Sequence, residues 1–304
     1  MEITLNWLKQ YFYKNSENYA ISNRDYYDEN GGKKAINAAF KDFTSRTLRK
    51  IDPDVNVSVD EELRKEALKY LSAKFEEYFK APEKNRKDFN TWHEQCCKEF
   101  QTEYNKLLEG KYHKIKYGKA QKIVNMTFKY LFCYADADNF AGHFLYCHMP
   151  LDSFTLTWYR REAKKYMKQN GELWYQDNKN RADKLTWSDM GEEEYIKIQE
   201  DISKILVDYK IKIGNQEISL SKNKNSLEAE FFVWKNERNN GSFKDLFKLL
   251  YALDTNFIED LDPFCLKIQL GRKKRETLNN CKKEIIGKLD VLRSRLENLN
   301  SEEQ

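Results

Sequence analysis

Apolar residues recur every three or four positions along most of this chain, and only four prolines and 11 glycines interrupt its 304 residues. An α-helix puts residues three and four apart on one face, whereas a strand alternates every second residue. Proline and glycine end or weaken helices, so a chain poor in both sustains long ones. The expected fold class is mainly α.

The helices can be placed individually. Ala35, Ile36, Ala39, Phe40 and Phe43 mark one. Ser58 followed by Glu61 reads as a capping box opening a second, with Ala67, Leu68, Leu71, Phe75 and Tyr78 on one face. Thr91 and Glu94 read as another capping box, and Gly110 stands where that helix's C-terminal cap belongs. Ile123 to Tyr134 is apolar almost all round, the pattern of a central buried helix. Pro150-Leu151-Asp152-Ser153 opens the next helix, to about Met167, with Asp152 or Ser153 as N-cap. Residues 169–184 read as polar loop, and a helix is expected from about Asp189 to Leu206. Gly214-Asn215 between Ile211 and Ile218 predicts a small β-hairpin near 209–220. Helices follow over Leu227–Trp234 and Ser242–Leu253, and a long C-terminal helix carries a leucine seam from Leu278 to Leu299. The seam reads as packing along the domain rather than as a dimer coil, so a monomer is favoured.

Composition removes whole classes. Collagen-like and low-complexity chains need far more Gly and Pro, and a disordered chain would lack 19 Tyr, 18 Phe and 6 Trp. No apolar stretch is long enough for a membrane span, and the first residues carry no secretory pattern. The expectation is a cytoplasmic protein with no membrane partner. The chain is divided into an N-terminal helical part (1–110), a central part (111–170) and a C-terminal helical part (171–304), expected to form one compact unit.

The six cysteines include no CxxC pair and the four histidines no HxxxH pair, so neither a zinc site nor an iron–sulfur cluster is expected. Asp136, Asp138 and Asn139 resemble the start of a calcium loop but lack its Gly and its final Glu. Phosphate loops, dinucleotide fingerprints and the Gly-x-Ser-x-Gly turn are absent. No metal and no cofactor are expected.

The charge distribution is more informative than its sum. The net charge is +4, yet from Lys111 to Ala135 there are six lysines (111, 114, 116, 119, 122, 129) and no acidic residue. A second basic cluster is Arg272-Lys273-Lys274-Arg275. A local positive field on a nearly neutral protein suits a polyanion. Within the run, Gly118 and Ala120 are small enough for backbone to approach a phosphate, and amides at a helix start attract anions. Lys122 falls on the first turn, between a basic turn and an apolar core. An amine so placed serves as a nucleophile when its pKa is depressed. Asp152, held by backbone donors at another helix start, stays ionised and suits stabilisation of an oxocarbenium-like sugar carbon.

These two elements together resemble the helix-hairpin-helix DNA glycosylase/lyase superfamily. Its hairpin reads Gly-x-Gly-x-Lys, matched by Gly118, Ala120 (where the family has a second Gly) and Lys122. Its later Pro-[Val/Leu]-Asp element is matched by Pro150-Leu151-Asp152. The spacing and the Lys-Ile-Val run are most similar to the archaeal 8-oxoguanine glycosylase branch. The resemblance spans only the stretch from Tyr117 to Ser153. It implies a helix-hairpin-helix-like fold, base flipping from double-stranded DNA, and attack of Lys122 on the sugar C1′ with Asp152 assisting. It also implies DNA contacts from Lys116, Tyr117, Gly118, Lys119 and Ala120. His148 and Trp158 are the candidates for a base pocket. The expected function is thus a DNA glycosylase, with or without β-lyase activity. The alternative is a non-enzymatic nucleic-acid- or protein-binding factor of a bacterium or phage, since the Asn-, Lys-, Ile- and Tyr-rich usage suits a low-GC genome.

Overall fold

The computed structural model describes residues 4–44, 51, 61–170, 172–213, 216–220 and 225–241. The capping box at Ser58, the helix over Ser242–Leu253, the basic cluster at 272–275 and the leucine seam lie outside them. Residues Met1–Asn240 form one compact unit.

The described residues are mainly helical, with one small antiparallel sheet. In chain order the α-helices are α1 (Leu5–Phe12), α2 (Ala35–Thr44), α3 (Glu61–Lys80), α4 (Arg86–Leu108), α5 (Tyr117–Leu131), α6 (Ala141–Phe144), α7 (Ser153–Asn170), α8 (Trp174–Asp177), α9 (Lys179–Lys184), α10 (Glu192–Ile205) and α11 (Ser226–Gly241). The sheet is β1 (Lys210–Ile213) paired with β2 (Gln216–Ser219), Ile211 opposite Ile218. The expected hairpin is therefore formed. Among the described residues no helix is long and apolar enough to cross a membrane.

α5 is the axis of the fold. Apart from Lys119 and Lys122, it is buried from end to end, and α2, α4 and α10 pack around it. Phe128 lies at the centre of an aromatic cluster, with ring centroids at 4.8 Å from Phe75, 5.2 Å from Tyr78, 5.7 Å from Trp92 and 5.9 Å from Phe89. The high aromatic content is used largely as core, where each fully buried ring contributes about 1.5–3 kcal/mol.

Two helix boundaries differ from expectation for identifiable reasons. α4 begins at Arg86, because the Asn85 side chain accepts from the Asp88 amide at 3.0 Å. Thr91 does not cap it; its hydroxyl donates to the Lys87 carbonyl within the helix, at 3.1 Å. The stretch 169–184, expected as loop, holds the end of α7 and the short helices α8 and α9. The buried Asp201 carboxylate of α10 accepts from the Trp174 and Tyr175 amides, at 2.9 and 3.0 Å, and so caps α8 from across the core. At Gly110 the expectation holds: its φ of +74° is the left-handed conformation that ends α4.

Candidate functional site

The turn before α5 is closed by neighbouring backbone. Lys116 is the extended N-cap and makes no side-chain cap bond. Instead the Gly118 amide donates to the Met190 carbonyl at 2.9 Å, and the Lys119 and Ala120 amides donate to Lys116. A Cβ on Gly118 would collide with the Trp187 carbonyl, so glycine is required for close approach to the 187–190 segment. The Gly118 amide is thus committed within the protein, and Tyr117, Gly118 and Ala120 are buried. Lys116 is exposed, 3.6 Å from Asp189. Lys119 and Lys122 are half-buried. The Lys122 amine lies over the Trp187 ring, 4.4 Å from its centroid, as in a cation–π contact.

Asp152 caps α7, as the sequence implied. Its Oδ1 accepts from the Phe154 and Thr155 amides at 2.8 and 3.0 Å. The Thr155 hydroxyl accepts from the Asp152 amide at 2.8 Å, which completes a reciprocal cap. The residues just before it are held with unusual completeness by two buried glutamines. Gln199 of α10 accepts from the Met149 amide at 3.2 Å and donates to the Met149 carbonyl at 2.7 Å. Gln121 of α5 donates to the Leu151 carbonyl at 3.1 Å and accepts from its amide at 3.5 Å. Gln121 also donates to the Gly118 carbonyl at 2.8 Å.

Gln121 begins a buried polar chain. Its oxygen accepts from Asn125 at 2.9 Å, and Asn125 also donates to the Tyr195 hydroxyl at 2.8 Å. The remaining partners fix the direction of each bond. His93 Nε2 donates to Asn125 Oδ1 at 2.9 Å. Tyr195 donates to His148 Nδ1 at 2.8 Å, and His148 Nε2 donates to Asn90 at the surface at 3.1 Å. Both histidines are neutral in this arrangement. Burial holds His93 down at about 4, against an opposing pull from its bond to Asn125. Burial, together with His93 and Arg86, holds His148 well below the usual range.

Two turns along α5 from Lys122 lies a buried ion pair. Lys129 Nζ is 2.5 Å from Glu230 Oε2 of α11, their side chains 1% and 2% exposed. The ammonium lies 3.7 Å from the Phe12 ring centroid and 4.9 Å from those of Phe231 and Trp234. Burial pushes the Glu230 carboxyl up, while Lys129 opposes the shift. The acid-free lysine run is therefore not one open basic face: Lys116 faces Asp189, and Lys129 is neutralised inside the core.

Of the base-pocket candidates, His148 is half-buried and belongs to the polar chain. Trp158 is 0% exposed and donates to the Tyr209 hydroxyl at 2.9 Å. It is a core residue, and its ring has no open face for a base. Among the described residues no cluster of His, Cys, Asp or Glu could hold a metal ion. Reading the sequence for chemistry missed Gln121, Asn125, Tyr195 and Gln199. Its one available signal was a carboxamide pair, Gln121 and Asn125, four apart in a helix that is buried apart from Lys119 and Lys122. No protein-family model, curated protein or solved structure matches this chain.

Proposed function

We propose that this protein acts on DNA as a lysine-dependent glycosylase, with Lys122 as nucleophile and Asp152 as the stabilising carboxylate. One observation carries the reading: Gln121, which precedes Lys122, is hydrogen-bonded to Leu151, which precedes Asp152. The two candidate residues thus sit next to the two ends of one buried clamp, and both remain partly exposed. In the reaction the deprotonated Lys122 amine bonds to C1′. The glycosidic C1′–N bond breaks with its electron pair leaving on the base, which takes up a proton. The Asp152 carboxylate stabilises the positive charge that develops on the sugar. Attack requires release from the Trp187 ring and loss of the ammonium proton, to solvent or to the leaving base, because only the neutral amine has a free electron pair.

The test is borohydride trapping on duplexes that carry modified bases or an abasic site. A covalent adduct lost in Lys122→Gln supports the reading. If no duplex gives an adduct, and Lys122→Gln and Asp152→Asn leave base release on every duplex unchanged, catalysis by these two residues is excluded.

A second reading is a non-enzymatic nucleic-acid- or protein-binding scaffold. The commitment of the Gly118 amide to Met190 favours the protein-binding form of this reading, because the turn then offers less backbone to a phosphate. In that case binding survives both substitutions, and it weakens steeply with salt if DNA is the ligand.

A further inference from the structure

The segment His148–Asp152 is fixed far more completely than a helix cap requires. His148 is tied through its ring, Met149 through both backbone groups, and the Pro150 carbonyl by Thr155 at 3.0 Å. Leu151 is held by Gln121, and the Asp152 carbonyl accepts from Leu156 at 3.0 Å. Asp152 caps α7 with bonds made entirely within residues 152–155, so capping alone needs neither glutamine.

A carboxamide is the neutral side-chain group that gives and accepts at one terminus in the plane of a peptide group. Gln121 is fully buried, and its carboxamide bonds are made to Gly118 and Asn125 on its own helix and to the segment that presents Asp152. An apolar residue of similar size would fill the same space but would leave the Gly118 and Leu151 carbonyls and an Asn125 N–H without their buried partner. Satisfied polar groups instead impose one geometry, because any displacement strands a donor or acceptor in a medium of low dielectric.

We propose that Gln121 is a positioning residue: its carboxamide locks the Leu151–Asp152 turn onto the helix that carries Lys122, and so sets the placement of the carboxylate relative to the amine. The proposal rests on the Lys122–Asp152 reading for its consequence in catalysis, but the clamp itself can be measured without any activity. Gln121→Glu keeps the shape and removes both donated bonds. Gln121→Met keeps the volume and removes the hydrogen bonds without adding charge.

The first measurement is amide hydrogen exchange in the full chain. In folded Gln121→Met, exchange at Leu151, whose amide donates to Gln121, is expected to accelerate at least tenfold, with Phe100 and Tyr104 of α4 unchanged. The second is single-turnover borohydride trapping on an abasic-site duplex. The maximal rate is expected to fall at least tenfold, while the DNA concentration giving half the maximal rate stays within twofold. A stability defect alone would leave the rate of the folded fraction unchanged. Unaltered exchange at Leu151 in Gln121→Met overturns the clamp. Altered exchange with an unaltered trapping rate overturns the positioning role. If the wild-type chain forms no adduct with any duplex, it is the lysine-nucleophile reading that fails, and the exchange data still decide the clamp.

Discussion

Acid is expected to destabilise this protein through His93, by an amount the structure sets. The imidazole is fully buried, donates to Asn125, and is held at about 4 against an ordinary value of 6.5. Between those values the unfolded chain binds a proton that the folded chain refuses. The contribution is complete above 6.5 and is lost as the pH falls toward 4. At about 1.4 kcal/mol per pH unit, the loss amounts to about 3 kcal/mol from this residue. His148 acts with the same sign. Glu230 acts with the opposite sign, since its raised carboxyl favours the fold at low pH and loses that contribution as the pH rises. The effect of His93 is therefore isolated against His93→Gln, which keeps a donor toward Asn125 and cannot titrate. Urea unfolding followed by tryptophan fluorescence gives both stabilities at each pH. Near pH 7 the variant is expected to be less stable by about 1 kcal/mol, the typical net value of a disturbed buried hydrogen bond. Near pH 4.5 the order is expected to invert. A gap between the two proteins that stays constant across this range would refute the reasoning.

Other perturbations test the remaining parts of the core. Lys129→Met strands the Glu230 carboxyl and is expected to cost about 3–5 kcal/mol, whereas Lys129→Met with Glu230→Leu recovers most of it; a double-mutant cycle in urea checks both values. Gly118→Ala forces the start of α5 away from the Trp187 carbonyl, and a loss of about 1–3 kcal/mol is expected in the same assay. Cys96, Cys97, Cys133 and Cys147 are buried, and burial pushes Cys96 and Cys133 up to about 12. Peptide mapping after treatment with a thiol reagent is expected to find these four unmodified in the native protein and modified in denaturant.

Local pattern was sufficient for much of the helical framework. The four- and three-residue spacing of Leu71, Phe75 and Tyr78, the glycine at 110 and the aspartate at 152 each act within a turn or two of their own position. Their roles were legible for that reason. The loop expected at 169–184 failed because the cap of α8 comes from Asp201, some 25 residues further on. The candidate site was legible only in its two charged ends. The carboxamide pair of Gln121 and Asn125 was visible locally, but what Gln121 and Gln199 hold was not, because those backbone groups belong to a turn 30 and 50 residues away.

By itself the sequence determined that this chain is mainly helical, and that an acid-free run of six lysines lies between Lys111 and Lys129. Helix formation follows from short-range geometry and net charge from a simple sum, so neither needs a partner. Tertiary structure decided what that charge does. Lys129 became an ion pair in an aromatic box because α11 brings Glu230 to it, and Lys122 lies over Trp187 because the 187–190 segment crosses the start of α5. A charge takes its energy from whatever the fold sets against it, and in this protein those partners come from distant parts of the chain.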